Sequence, residues 1–255
     1  MPSTHPKQYQ DVKANLQWYL AILMAIVGFA VYAVILPSEH REMVNTLLGL
    51  VPSSQLVGSG VLMVLLGFVG WVMVIGLEIH DKTYDRYVVR WRHDYDLHFV
   101  LPALVRPMAS ELSPRFHEVA AANRYEFMKT FYHFVADYEH DHKVMENLVV
   151  RFYEAVTKYW ITQLNELALI LVFVALVTYY FVYRTHGLAL DRIVLGTFAL
   201  VALFGLNRFL ITRTRAQVRR ATTDEIEDIH SRFLPELRAE LMALHVRFDM
   251  RYYGD

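Results

Sequence analysis

The 255-residue chain contains no cysteine. That excludes disulfides, Cys-ligated zinc, iron–sulfur clusters and thiol nucleophiles, and it leaves the redox compartment open. Charge is scarce as well: 20% of residues are Asp, Glu, Lys or Arg, and the formal net charge is −1. A nucleic-acid partner needs a broad basic field to neutralise phosphates, so this balance implies no DNA or RNA partner. Residues 115–186 include neither glycine nor proline, so that stretch lacks the usual helix breakers. Gly-x-Gly-x-x-Gly, Walker-type, Gly-x-Ser-x-Gly and His-Glu-x-x-His motifs are missing too. Their absence removes the easily recognised nucleotide-binding and hydrolase classes and makes an enzyme the less favoured reading.

Apolar side chains are what the chain has in excess, at 55% of residues and a mean hydropathy of +0.24, more than a soluble domain carries. Residues 18–36 and 56–77 are free of charge over 19 and 22 positions, each near the length that crosses about 30 Å of hydrocarbon at about 1.5 Å per residue. Residues 167–183 and 193–207 are shorter uncharged runs. They reach spanning length by recruiting 164–166 and 208–211 at the interface. Four crossings are therefore expected, with the first read as a retained anchor rather than a cleaved signal.

Orientation follows from the basic flanks. Lys7 and Lys13 precede the first run, Lys82, Arg86, Arg90 and Arg92 follow the second, Arg151 and Lys158 precede the third, and Arg213, Arg215, Arg219 and Arg220 follow the fourth. Only Arg41, Arg184 and Arg192 fall on the other side. Both termini and the central segment are thus expected in the cytoplasm, with the protein in the cell's inner (plasma) membrane.

Outside the runs the periodicity is helical. Leu77, Tyr84, Val88, Trp91, Tyr95 and Phe99 suggest that the second span continues toward Val100, ended by Pro102 and Pro107. Ser113 and Pro114 read as N-cap and first position of a helix carrying Phe116, Ala120, Phe127, Phe131, Phe134 and Tyr138. After a polar break at 137–143, Val144, Leu148, Phe152, Val156, Tyr159 and Gln163 lead into the third span. Thr223 reads as the cap of a further helix, which Pro235 kinks or divides. The expected fold class is all-α, a polytopic membrane protein with four transmembrane helices and a cytoplasmic helical bundle. Its divisions are 1–77 with spans one and two, 78–163 as the cytoplasmic helical region, 164–211 with spans three and four, and 212–255 as cytoplasmic C-terminal helices.

Three groups of candidate site residues emerge. Gly60, Met63, Gly67, Gly70 and Val74 share one face of the second span, where small residues allow helices to approach or a conduit to be lined. Histidine is abundant, at 12 residues. His93, His98 and His140 are candidate pH sensors, because imidazole titrates between pH 5 and 8. Glu139 with His142, and Glu227 with His230, have the Glu-x-x-His spacing that places two ligands on one helix face. They make a divalent metal such as Fe or Zn the one cofactor to consider, against the alternative of solvated surface residues. Polar groups within or beside the runs are few: Ser59, Asn165, Glu166, Thr178, Thr197, Asn207 and Arg208. Glu166 and Arg208 sit near the expected cytoplasmic boundary, where snorkelling explains them; no mid-membrane carboxylate supports a pump.

The layout is similar to that of bestrophin-type anion channels, and Tyr84-Asp85-Arg86-Tyr87 and Phe204-Gly205-Leu206-Asn207-Arg208 resemble strings found in them. The acidic-Pro-Phe-Gly string of that family has no counterpart after residue 208. The layout also resembles that of the flagellar stator's larger subunit, whose Gly-rich third span is unmatched at 167–183. Layout is analogy and does not establish an activity. Three functions follow as expectations: a homo-oligomeric channel gated through its cytoplasmic helices; a membrane-anchored scaffold docking a soluble cytoplasmic partner; and a metal-dependent membrane oxidoreductase. The lipid bilayer is the expected partner of all three.

Overall fold

The computed structural model describes residues 6, 8–30, 42–43, 46, 55–75, 79, 82, 91–112, 115–136, 144–183 and 190–251. These are helical nearly throughout: α1 (Tyr9–Ala30), α2 (Gln55–Ile75), α3 (Trp91–Tyr95), α4 (Leu101–Val105), α5 (Phe116–Ala122), α6 (Arg124–Ala136), α7 (Glu146–Tyr183) and α8 (Leu190–Arg251). A π-helical turn, Asp96–Val100, joins α3 to α4, and a 3-10 turn, Arg106–Met108, follows α4. The all-α expectation agrees with this architecture.

The four-span expectation does not. Among the described residues two helices are long and apolar enough to cross a membrane, Tyr9–Phe29 and Glu146–Thr178; Met63–Val74 is a shorter apolar stretch. The fourth expected span, 193–207, needed 208–211 to reach crossing length. Arg208 is instead engaged by Glu166 with its side chain 57% exposed, and α8 runs on through Arg213, Arg215, Arg219 and Arg220.

Local chemistry accounts for other departures. Pro102 was expected to end a helix, yet it sits in the first turn of α4. Proline has no N–H to donate, and the chain passes it through the π turn, whose last bond runs from Leu101 N–H to Asp96 O. The single helix expected from Phe116 to Tyr138 is broken at Asn123, with φ −118° and ψ 29°; the Asn123 amide donates to Val119 O at 3.0 Å and closes α5. Thr223 caps nothing: its hydroxyl donates to Arg219 O inside α8. Pro235 kinks α8, leaving Phe233 outside helical geometry. The expected cap at Ser113 and Pro114 and the break at 137–143 lie outside the described residues.

The chain divides into two compact units. Unit 1 comprises residues 1–4, 10–80 and 157–215; unit 2 comprises 5–9, 81–156 and 216–255. In unit 1, Val12, Leu16 and Leu20 repeat at four-residue spacing and are buried on one face of α1, and Gly67, Gly70 and Val74 form the buried face of α2. A Cβ on Gly70 would stand 2.9 Å from the Leu20 carbonyl oxygen, and one on Gly67 3.1 Å from that of Ala21. Glycine at both positions is what lets the α1 and α2 backbones meet.

Unit 2 is built on aromatic packing. Phe116 meets Phe127 edge to face at 5.4 Å, and Phe134 stacks on Phe233 at 5.9 Å, geometries that add to plain area burial. Asp228 of α8 accepts the Met145 N–H at 3.1 Å and is held by Arg232. It thereby satisfies a donor at the start of α7 that helix geometry leaves open. Arg151–Asp224 and Arg238–Glu111 pairs lie on the surface of the same unit.

Candidate functional site

The residues singled out on the second run are divided by the structure. Gly67, Gly70 and Val74 are buried, Gly67 and Gly70 directly against α1, whereas Gly60 and Met63 are half-buried and Gly60 has open space around its Cα. The exposed face of α2 is the other one, formed by Val64, Leu65, Phe68, Val69, Trp71 and Val72.

Inside unit 1, helical spacing on α7 brings Tyr159, Thr162, Gln163 and Glu166 to one buried face, and on α8 the same spacing brings Asn207, Ile211 and Thr214. The two stripes meet in antiparallel register. Asn207 Nδ2 donates to Thr162 O at 3.0 Å. The Thr162 and Thr214 hydroxyls lie 3.4 Å apart. Arg215 stands 5.8 Å above the Tyr159 ring. Arg208 pairs with Glu166 at 2.6 Å and also lies over its own helix's Phe204 ring at 5.2 Å. Tyr19 of α1 completes the layer by donating to Asn165 Oδ1 at 2.6 Å.

Glu166 is almost wholly buried, at 3% exposure. A carboxylate there is tolerable because an arginine reaches it, since an unpaired charge in such surroundings is far costlier. Gln163 is different. Its amide is buried at 1% exposure, and neither Oε1 nor Nε2 finds a partner among the described residues. Satisfying it requires a polar atom from outside them, so the polar layer is incomplete here.

Unit 2 holds a second cluster around Tyr95, at the end of α3. Its hydroxyl donates to Thr222 Oγ1 at 2.7 Å, and burial pushes its pKa well up, with the charge of Glu225 adding to the shift. Glu225 is fully buried, and neither carboxylate oxygen has a partner among the described residues. Burial, reinforced by neighbouring Asp224, holds its carboxyl well above the usual range. Asp96, the first residue of the π turn, is engaged by Arg124 at 3.4 Å. Burial also raises the Tyr132 phenol, helped by Asp96 and opposed by Arg92. Perturbed titratable groups gathered beside a π turn are a recurrent mark of functional sites.

Glu225 was missed by motif searching but was open to a helical-wheel reading. Val218, Thr222, Glu225 and Ile229 follow one another at three- and four-residue steps, so the carboxyl falls on an apolar stripe.

Glu139, His142 and His140 lie outside the described residues. Glu227 is exposed, while His230 Nε2 lies 2.9 Å from Leu104 O. Among the described residues no group of three or more His, Asp or Glu is arranged to hold a metal ion. His98 is exposed on the π turn, and His93 lies within α3.

The observations define the class: an all-α helical protein of two compact units with, among the described residues, two candidate membrane-spanning helices. Comparison with known proteins adds no kinship, since the chain matches no protein-family model, no curated protein and no solved structure.

Proposed function

We propose that this is an integral membrane protein, held in the bilayer through α1 and α7, that assembles with copies of itself into a channel whose opening is controlled by its helical unit 2. The observation that carries the reading is where the apolar surface lies. Within the most apolar 18-residue stretch of each candidate crossing helix, 22% and 28% of the residues are buried, the reverse of a soluble core helix. Unit 1 further exposes Ile22, Ile26, Val64, Phe68, Phe173, Val174, Phe198 and Val201, while Thr162, Gln163, Glu166, Asn207 and Thr214 are buried inside it. In unit 2 the large exposed hydrophobics among the described residues are Tyr125, Met145 and Val246. Water suits the second surface and lipid the first.

A channel is favoured over a scaffold because the spare apolar face is on α2 rather than on unit 2. Gly67, Gly70 and Val74 are committed to α1. We therefore assign Val64, Leu65 and Phe68 to contact between subunits and to a hydrophobic constriction, which shuts a pore by dewetting. The basic residues Lys158 and Arg213 of unit 1 assign that side to the cytoplasm. Purified full-length protein reconstituted into planar bilayers should give discrete conductance steps that are enlarged by Phe68→Ala. Silence of a correctly inserted oligomer across voltage and pH refutes the channel.

A further inference from the structure

The contacts inside unit 1 allow its helices to be compared level by level. Glu166 on α7 meets Arg208 on α8, and Tyr159 meets Arg215, so rising numbers on α8 correspond to falling numbers on α7. Tyr19 on α1 meets Asn165. One level of the unit therefore contains Tyr19, Asn165, Glu166 and Arg208, and the surface changes character there. Within unit 1 the large exposed hydrophobics of α7 begin at Ile170, and those of α8 end at Phe209. Trp18, 49% exposed, adjoins Tyr19 at the changeover. Lys158 and Arg213, both exposed, stand on the far side from the apolar surface. They are displaced from Glu166 and Arg208 by about 12 and 7 Å at helical rise.

The Arg213 offset falls within the headgroup layer, which adds about 5–8 Å on each side of the hydrocarbon core, and Lys158 lies a few ångströms beyond it, where its long side chain can reach back to the headgroups. No carboxylate among the described residues engages Lys158 or Arg213, and Arg208 uses one edge of its guanidinium on Glu166 while its side chain remains 57% exposed. A guanidinium has five donors, so the remaining edge is available to a phosphodiester. An indole at the changeover, an arginine anchored by a buried carboxylate and two cations one layer further out form a surface complementary to negatively charged headgroups.

We infer that Trp18, Lys158, Arg208 and Arg213 form a binding surface for the headgroups of anionic phospholipids at one rim of unit 1. The inference rests on unit 1 being embedded in lipid, as proposed above. Arg208 is fixed by Glu166, and Lys158 and Arg213 supply the lipid selectivity by charge.

The test uses full-length protein carrying Trp71→Phe, reconstituted with phosphatidylcholine or phosphatidylglycerol brominated in the acyl chains, with quenching of indole fluorescence as the readout. The expected result is quenching by both lipids, with phosphatidylglycerol preferred about fivefold or more, since each surface cation contributes roughly a fivefold factor. The preference should fall toward unity in Lys158→Gln/Arg213→Gln and, in the unsubstituted chain, at high salt. Equal quenching by the two lipids, or a preference unchanged in the double variant, overturns the headgroup surface while leaving the protein in the membrane. So does loss of the preference on adding millimolar glycerol phosphate, which would mark a site for soluble phosphate. Absence of quenching by either lipid overturns the membrane reading itself, and this inference with it.

Discussion

The contact between α1 and α2 yields a sharp prediction, because three glycines on one helix meet three different surroundings. An added Cβ at Gly60 meets nothing within 4 Å; at Gly67 it meets Ala21 O at 3.1 Å; at Gly70 it meets both Leu20 O and Met24 Cγ at 2.9 Å. Alanine relieves the backbone entropy of a helical glycine by about 0.5–1 kcal/mol wherever space allows. Gly60→Ala should therefore be neutral or raise stability by about that amount. At Gly70 the Met24 side chain can turn away, but the Leu20 carbonyl belongs to the α1 backbone and moves only if the helix does. Overpacking of this kind costs about 1–3 kcal/mol, so Gly70→Ala should fall below Gly60→Ala by that interval, with Gly67→Ala between them. Reversible unfolding of the three variants in detergent micelles measures the order. If Gly70→Ala proves as stable as Gly60→Ala, the α1–α2 packing is wrong, and with it the assignment of the opposite α2 face to subunit contact.

Three further outcomes follow from the buried polar groups. Glu225 binds its proton more tightly folded than unfolded, so the stability it confers is complete below the ordinary carboxyl range and is lost as pH rises toward its folded pKa. Through that window Glu225→Gln should remove a slope of about 1.4 kcal/mol per pH unit from the unfolding free energy; a pH series with an unchanged slope rejects the buried neutral carboxyl. Arg208→Gln strands the Glu166 carboxylate and should destabilise unit 1 by on the order of 3 kcal/mol, whereas Glu166→Gln/Arg208→Gln recovers most of it, as a double-mutant cycle will show. Tyr95→Phe leaves Thr222 without its donor and should cost about 1 kcal/mol in chemical denaturation, with no loss in a Thr222→Val background.

Much of the local architecture could be read along the chain. Apolar periodicity and the scarcity of breakers marked the helices, and a helix through 144–163 leading into an apolar run is met by α7. Small residues in the second run marked positions where another helix could approach, though whether they line a conduit or pack a helix depends on which face a neighbour occupies. Local signals misled where another hydrogen bond or a tertiary contact was available. Pro102 is bypassed by a π turn, Thr223 bonds back into its own helix, and Asn123 ends a helix that apolar spacing alone would continue.

The amino-acid order therefore determined that the chain is helical, that it carries apolar stretches of crossing length, and that it has no cysteine chemistry. Each of these is a property of residue type and spacing along one strand of chain. Only the tertiary structure decided that Gly67 and Gly70 face α1, that Arg208 reaches Glu166, and that Gln163 and Glu225 are sealed in without partners among the described residues. Those outcomes depend on which residues from distant parts of the chain occupy the same level of a packed unit, and a buried polar group becomes informative only when its neighbours are known.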